Sequence, residues 1–81
     1  MRFPDHATVE RVRKAYPRGT RVELLEMDDP QAPPIGTRGT VCWVDDTASL
    51  GVAWDNESML NVIYGVDRVR RINDVKRDTD D

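Results

Sequence analysis

Residues 50–64 read LGVAWDNESMLNVIY, and this stretch decides the fold. Leu50, Val52 and Trp54 alternate on one face of an extended chain, and Asp55-Asn56-Glu57 follows with turn chemistry. Beyond the turn the alternation resumes. Leu60, Val62 and Tyr64 share one face, and Met59, Asn61 and Ile63 share the other. Alternation on both sides of a short polar break predicts two antiparallel strands, 50–54 and 58–64.

Upstream, Arg38 to Asp45 reads as another strand, joined to 50–54 through the turn Asp45-Asp46-Thr47-Ala48-Ser49. Thr20 to Met27 reads as a strand with Val22 and Leu24 on one face, and the phase slip at Leu24-Leu25 predicts a bulge. Between these two strands lie Pro30, Pro33 and Pro34, which cannot sit in a ladder, so 28–36 is expected to be a stiff, extended loop. Downstream, Gly65-Val66-Asp67 turns the chain into a short fifth strand, 68–72. The spacing of Val9, Val12 and Tyr16 predicts a helix over 7–16, capped by Asp5 or Thr8 and ended by Pro17.

Short strands at near-regular spacing point to a mainly β fold, a small five-stranded SH3-like barrel with one short N-terminal α-helix covering an open end. Residues 1–6 are read as an arm, 7–72 as one domain and 73–81 as a disordered acidic tail. The expected core is Val22, Leu24, Val41, Val52, Trp54, Leu60, Val62 and Ile72. A chain of 81 residues has one modest core, because so short a chain buries only about 60–65% of its unfolded surface.

The net charge of −3 conceals a segregation. From Val22 to Asp67 nine acids face one base, Arg38, for −8; residues 1–21 carry +4, residues 68–77 carry +4, and the last four residues add −3. Such a pattern bears on partners and association rates rather than on fold. The single cysteine, Cys42, excludes an internal disulfide, and the opening Met1-Arg2-Phe3-Pro4-Asp5 has no apolar core of a secretory signal. A cytoplasmic location and no membrane association are expected.

Four stretches carry a resemblance: YPRGTRVELLEMDDPQAPPIGTRGTV from Tyr16, VDD at 44–46, VAWDN at 52–56 and GVDRVRRI at 65–72. Together they resemble the domain of unknown function 4314, a family of small bacterial, phage and mobile-element proteins. The resemblance implies an SH3-like fold and no particular activity. Where the family usually has glycine after the Asp-Asn of the turn, this chain has Glu57, which is expected to shift any positive φ onto Asn56. Tyr64 stands where the family often has proline, and Val69 where it favours an aromatic.

No catalytic set assembles from this inventory, and the chain is read as no enzyme. His6 is the only histidine and lies far in sequence from Cys42, so no nucleophile pair is evident. Zinc lacks ligands, and the pairs Asp28-Asp29 and Asp45-Asp46 lack the alternating oxygen pattern of a calcium loop. No metal site and no cofactor are expected. Gly36 and Gly39 precede a strand rather than a helix, which argues against a phosphate loop.

Two binding surfaces remain. The first is acidic: Asp28, Asp29, Pro30, Pro33, Pro34, Asp45 and Asp46, with Trp43 as an aromatic anchor if it is exposed rather than core. The second is basic: Arg11, Lys14 and Arg18, with Arg21, Arg68, Arg70 and Arg71, brought together if the first and last strands are neighbours. The leading reading is a non-catalytic protein-interaction module, an accessory protein of a phage or mobile element. It would bind a protein with a basic surface, including as an inhibitor of a host defence or nucleoprotein complex. The alternative is a nucleic-acid-contacting module using the arginine patch. A monomer or weak homodimer is expected.

Overall fold

The computed structural model describes residues 5–72. Helix α1 (His6–Ala15) begins where Asp5 Oδ1 accepts the Thr8 amide at 2.8 Å, and ends before Pro17, with the Tyr16 amide returning to the Val12 carbonyl at 2.9 Å. Val9 and Val12 are buried, so the apolar stripe docks as amphipathicity requires. The helix starts one residue earlier than its spacing predicted and takes Asp5 and His6 out of the expected arm.

Four strands follow: β1 (Arg21–Glu26), β2 (Arg38–Val44), β3 (Leu50–Trp54) and β4 (Arg68–Arg71). They form one antiparallel sheet in the order β3-β2-β1-β4. The expected bulge is present, because the β1–β4 register shifts between Leu24 and Glu26. A second register shift, between Val41 and Trp43 in β2, decides the position of Trp43. It lets both Val41 and Val44 turn toward the core and sends Trp43 outward, 48% exposed.

The sheet has four strands where five were expected, and it does not close into a barrel. Residues 58–64 form only two isolated bridges to β3, Leu50 with Val62 and Ala53 with Met59. Between the bridges the Leu60 carbonyl accepts from the Trp54 indole Nε1 at 3.0 Å. After Val62 the chain leaves the sheet, since the Ile63 carbonyl takes the amides of both Val66 and Asp67 in a turn. A cleft of ≈ 330 Å³, lined by Val62, Tyr64, Val69, Val12 and Tyr16, lies at the open seam between this segment and β4.

One core unites the helix and sheet: Val9, Val12, Val22, Leu24, Val41, Ala48, Leu50, Val52, Trp54 and Val62. Two expected core residues differ. Leu60 is partly buried and packs against the cluster, while Ile72 lies past the end of β4, half-buried and outside it. The loop 28–36 is not simply extended, because prolines here set up turns as well as breaking the ladder. The Ala32 amide donates to the Asp29 carbonyl, and the Thr37 amide and hydroxyl both donate to the Pro34 carbonyl. The positive φ after Asp55-Asn56 sits on Glu57 itself, at 75°, and not on Asn56. The Asn56 side chain is instead engaged as an acceptor for the Ser58 amide and hydroxyl. The expected tail, 73–81, lies outside the described residues.

Candidate functional site

The two Asp-Asp pairs have the same sequence and different jobs. Asp45 Oδ1 accepts the Thr47 amide at 2.9 Å, the Thr47 hydroxyl at 2.7 Å and the Ser49 amide at 3.0 Å. Burial alone would raise its pKa, but these hydrogen bonds from Thr47 and Ser49, with Arg13 nearby, hold it below the ordinary carboxylate value. Asp45 therefore builds the turn before β3, in which Ala48 is buried at φ 64°. Asp46 points out and meets Arg13 Nη2 at 2.9 Å. Asp29 spends one oxygen on the Gln31 amide at 2.8 Å, and Asp28 has no side-chain partner among the described residues.

Asp28 and Asp29 open onto a groove that residue patterning alone did not single out. The same groove is lined by Met59, Asn61 and Ile63, and by Val66, Asp67 and Ser49. Met59 is 60% exposed and Val66 67%, and Ile63 is half-exposed. The ionisable side chains lining the groove are Asp28, Asp29 and Asp67, all acidic. The signal was present in the sequence: Val62-Ile63-Tyr64 is apolar on both faces of an alternating segment, and one such face is left exposed among the described residues.

The remaining acidic-face candidates are scattered. Pro33 is buried and acts in packing, while Pro30 and Pro34 are exposed on the loop surface. Trp43 lies flat over Gly51 on the outer side of the sheet, so close that a Cβ on Gly51 would strike the indole ring. None of these is among the groove's lining residues.

On the basic side, β4 does lie beside β1, and this brings arginines and glutamates together. Arg70 pairs with Glu23, and Arg68 approaches Glu26 at 3.8 Å. Arg21 forms a two-point contact with Asp55, at 2.9 and 2.7 Å, and also reaches the Thr40 hydroxyl. The Arg21 hydrogen bond keeps Asp55 below its ordinary pKa. Arg71 Nη1 donates to the Ala15 carbonyl at the helix end. The side chains of Arg11, Lys14 and Arg18 are exposed and make no hydrogen bond or ion pair among the described residues.

His6 is exposed beside Glu10, and the half-buried Cys42 thiol contacts the Thr40 carbonyl. Among the described residues no group of three or more His, Cys, Asp and Glu side chains could hold a metal, and no helix is long and apolar enough to cross a membrane. A family model, the domain of unknown function (DUF4314), matches residues 5–72. Comparison with curated proteins and with solved structures gives no match.

Proposed function

The chain belongs to the DUF4314 family, a domain of unknown function, and from its own surface we propose that it is a non-catalytic protein-interaction module that binds through its acidic groove. One observation carries this reading. The groove pairs three exposed apolar side chains, Met59, Ile63 and Val66, with ionisable groups of one sign, Asp28, Asp29 and Asp67. A basic protein surface satisfies both features, and a polyanion satisfies neither. The nucleic-acid alternative is weakened by the pairing of Arg68, Arg70 and Arg21 with Glu26, Glu23 and Asp55, which leaves Arg11, Lys14 and Arg18, with Arg71 on the Ala15 carbonyl, as the part of the patch without an acidic partner among the described residues.

The SH3-like reading of the fold draws support from the sheet order, in which the first strand lies between the second and the last. The setting implied by the family resemblance, an accessory protein of a phage or mobile element, completes the proposal. There the −8 middle of the chain would compete for a basic groove of a host defence or nucleoprotein complex.

Affinity capture from the native host, after nuclease treatment, tests the module. The wild-type chain should retain a protein partner. Val66→Asp should lose it, and Arg11→Ala with Lys14→Ala and Arg18→Ala should keep it. Capture that vanishes with nuclease, or with the basic triple variant alone, would replace this reading with the nucleic-acid one.

A further inference from the structure

Among the described residues, 58–62 are hydrogen-bonded on one side only. Leu50 and Val62 exchange both main-chain hydrogen bonds at 2.9 Å, and the Trp54 amide donates to the Ser58 carbonyl at 3.0 Å. The alternate residues, Met59 and Asn61, turn their main-chain groups the other way, and neither has a main-chain partner among the described residues. Met59 and Asn61 line the same groove as Asp28 and Asp29, so this free edge borders it. Asp67 Oδ2 accepts the Ile63 amide at 2.9 Å and Asp29 Oδ1 the Gln31 amide at 2.8 Å, so each keeps one oxygen and its charge, while Asp28 has no side-chain partner among the described residues.

We propose that the groove takes an extended segment of a partner polypeptide in which apolar residues alternate with Lys or Arg, paired along the free edge at Met59 and Asn61. The proposal rests on the groove being a protein-binding site and names what fills it. In strand addition the main chain supplies affinity and alternate side chains supply specificity. Here the apolar set would cover Met59, Ile63 and Val66, and the cations would face Asp28 and Asp29. The fold already contains one such strand. In β4, Val69 packs against the core while Arg68 and Arg70 meet Glu26 and Glu23 of β1.

Fluorescence anisotropy with the full chain and a capped, labelled peptide of Val-Lys repeats tests it, with a Val-Glu peptide as the counterpart. The Val-Lys peptide should bind and the Val-Glu peptide should not. Asp28→Asn together with Asp29→Asn should weaken binding roughly tenfold, the combined effect of two exposed ion pairs a little above the middle of their range. Two further Val-Lys peptides, N-methylated at odd or at even positions, probe main-chain pairing, and at least one should lose binding. Equal binding of the Val-Glu peptide, indifference to the Asp28/Asp29 variant, or retention of both methylated peptides overturns the proposal. If the Val-Lys peptide fails to bind while Val66→Asp still abolishes capture of the native partner, the interface stands and this occupant is wrong.

Discussion

The segments on either side of the turn at 55–57 carry the same alternation and meet different fates. β3 is paired along both edges, by β2 and by residues 58–62, and Trp43 lies over Gly51 on its outer side. Four of its five residues are buried. The segment 58–64 is bridged on one edge, buries Val62, and leaves Met59, Ile63 and Tyr64 exposed. Alternation states which residues share a face. It does not state whether the ladder continues or whether a second layer arrives to cover the far side.

Trp54→Ala attacks the joint between the two segments and should have the largest effect. It removes a core side chain and the donor to the Leu60 carbonyl, for a loss of about 3–5 kcal/mol in chemical denaturation. For a domain this small that is a large share of its total stability. If the midpoint did not move, the two segments would not share a core. Gly51→Ala is next. The new methyl must push the Trp43 ring off the sheet, at a cost of about 1–3 kcal/mol, with a red shift in tryptophan emission. The matched changes on the other segment, Met59→Ala and Ile63→Ala, should stay within about 0.5 kcal/mol, since both side chains are exposed. Equal costs for the two sets would erase the contrast.

A pH titration sharpens it further. Asp45 and Asp55 flank β3, and both have pKa values lowered from 3.8 in the fold. A depressed carboxylate pKa contributes stability above the unfolded-state value and loses it as pH falls through the folded one. Stability should therefore be level above pH 5, as far as these groups govern it, and should decline below about pH 4. Asp45→Asn and Asp55→Asn should flatten that decline, and an unchanged acid profile would remove both carboxylates from the account. The smallest effect is a gain. Glu57 holds φ 75°, so Glu57→Gly should relieve left-handed strain and raise stability by about 1 kcal/mol or less. A loss would mean that the Glu57 side chain contributes more than its backbone costs.

Legibility in the sequence followed burial. Val22, Leu24, Val41, Val52 and Trp54 are in phase with their strands and lie in the core, and the helix stripe Val9–Val12 docks as its spacing requires. The bulge at Leu24-Leu25 was visible as a slip in phase, whereas the register shift at Cys42 was not, because Val41, Trp43 and Val44 fit either phase until the partner strand fixes one. For the candidate site, Asp28 and Asp29 were legible as an exposed acidic pair, but Asp45 looked identical to them. Each of Asp29 and Asp45 accepts the amide two residues on; what separates them is the Thr47 hydroxyl and the Ser49 amide, which also donate to Asp45 and have no counterpart at Asp29. The groove wall at Met59, Ile63 and Val66 depends on the sheet staying open, which is a property of the whole assembly rather than of any segment.

The pairing of β1 with β4 also sets the order in which the molecule can assemble. Helix α1, β1, β2 and β3 can gather through contacts shorter in sequence than those of β4, yet β1 keeps one edge bare until Arg68–Arg71 arrives from the far end of the domain. During synthesis the nascent chain must therefore carry an unpaired β1, with Glu23 and Glu26 lacking their arginines, until the last strand clears the ribosome. Long-range pairing of this kind slows folding relative to a helical domain of equal length. The acidic side chains on the waiting edge serve it in that interval, because like charges on two such chains discourage edge-to-edge association before folding is complete.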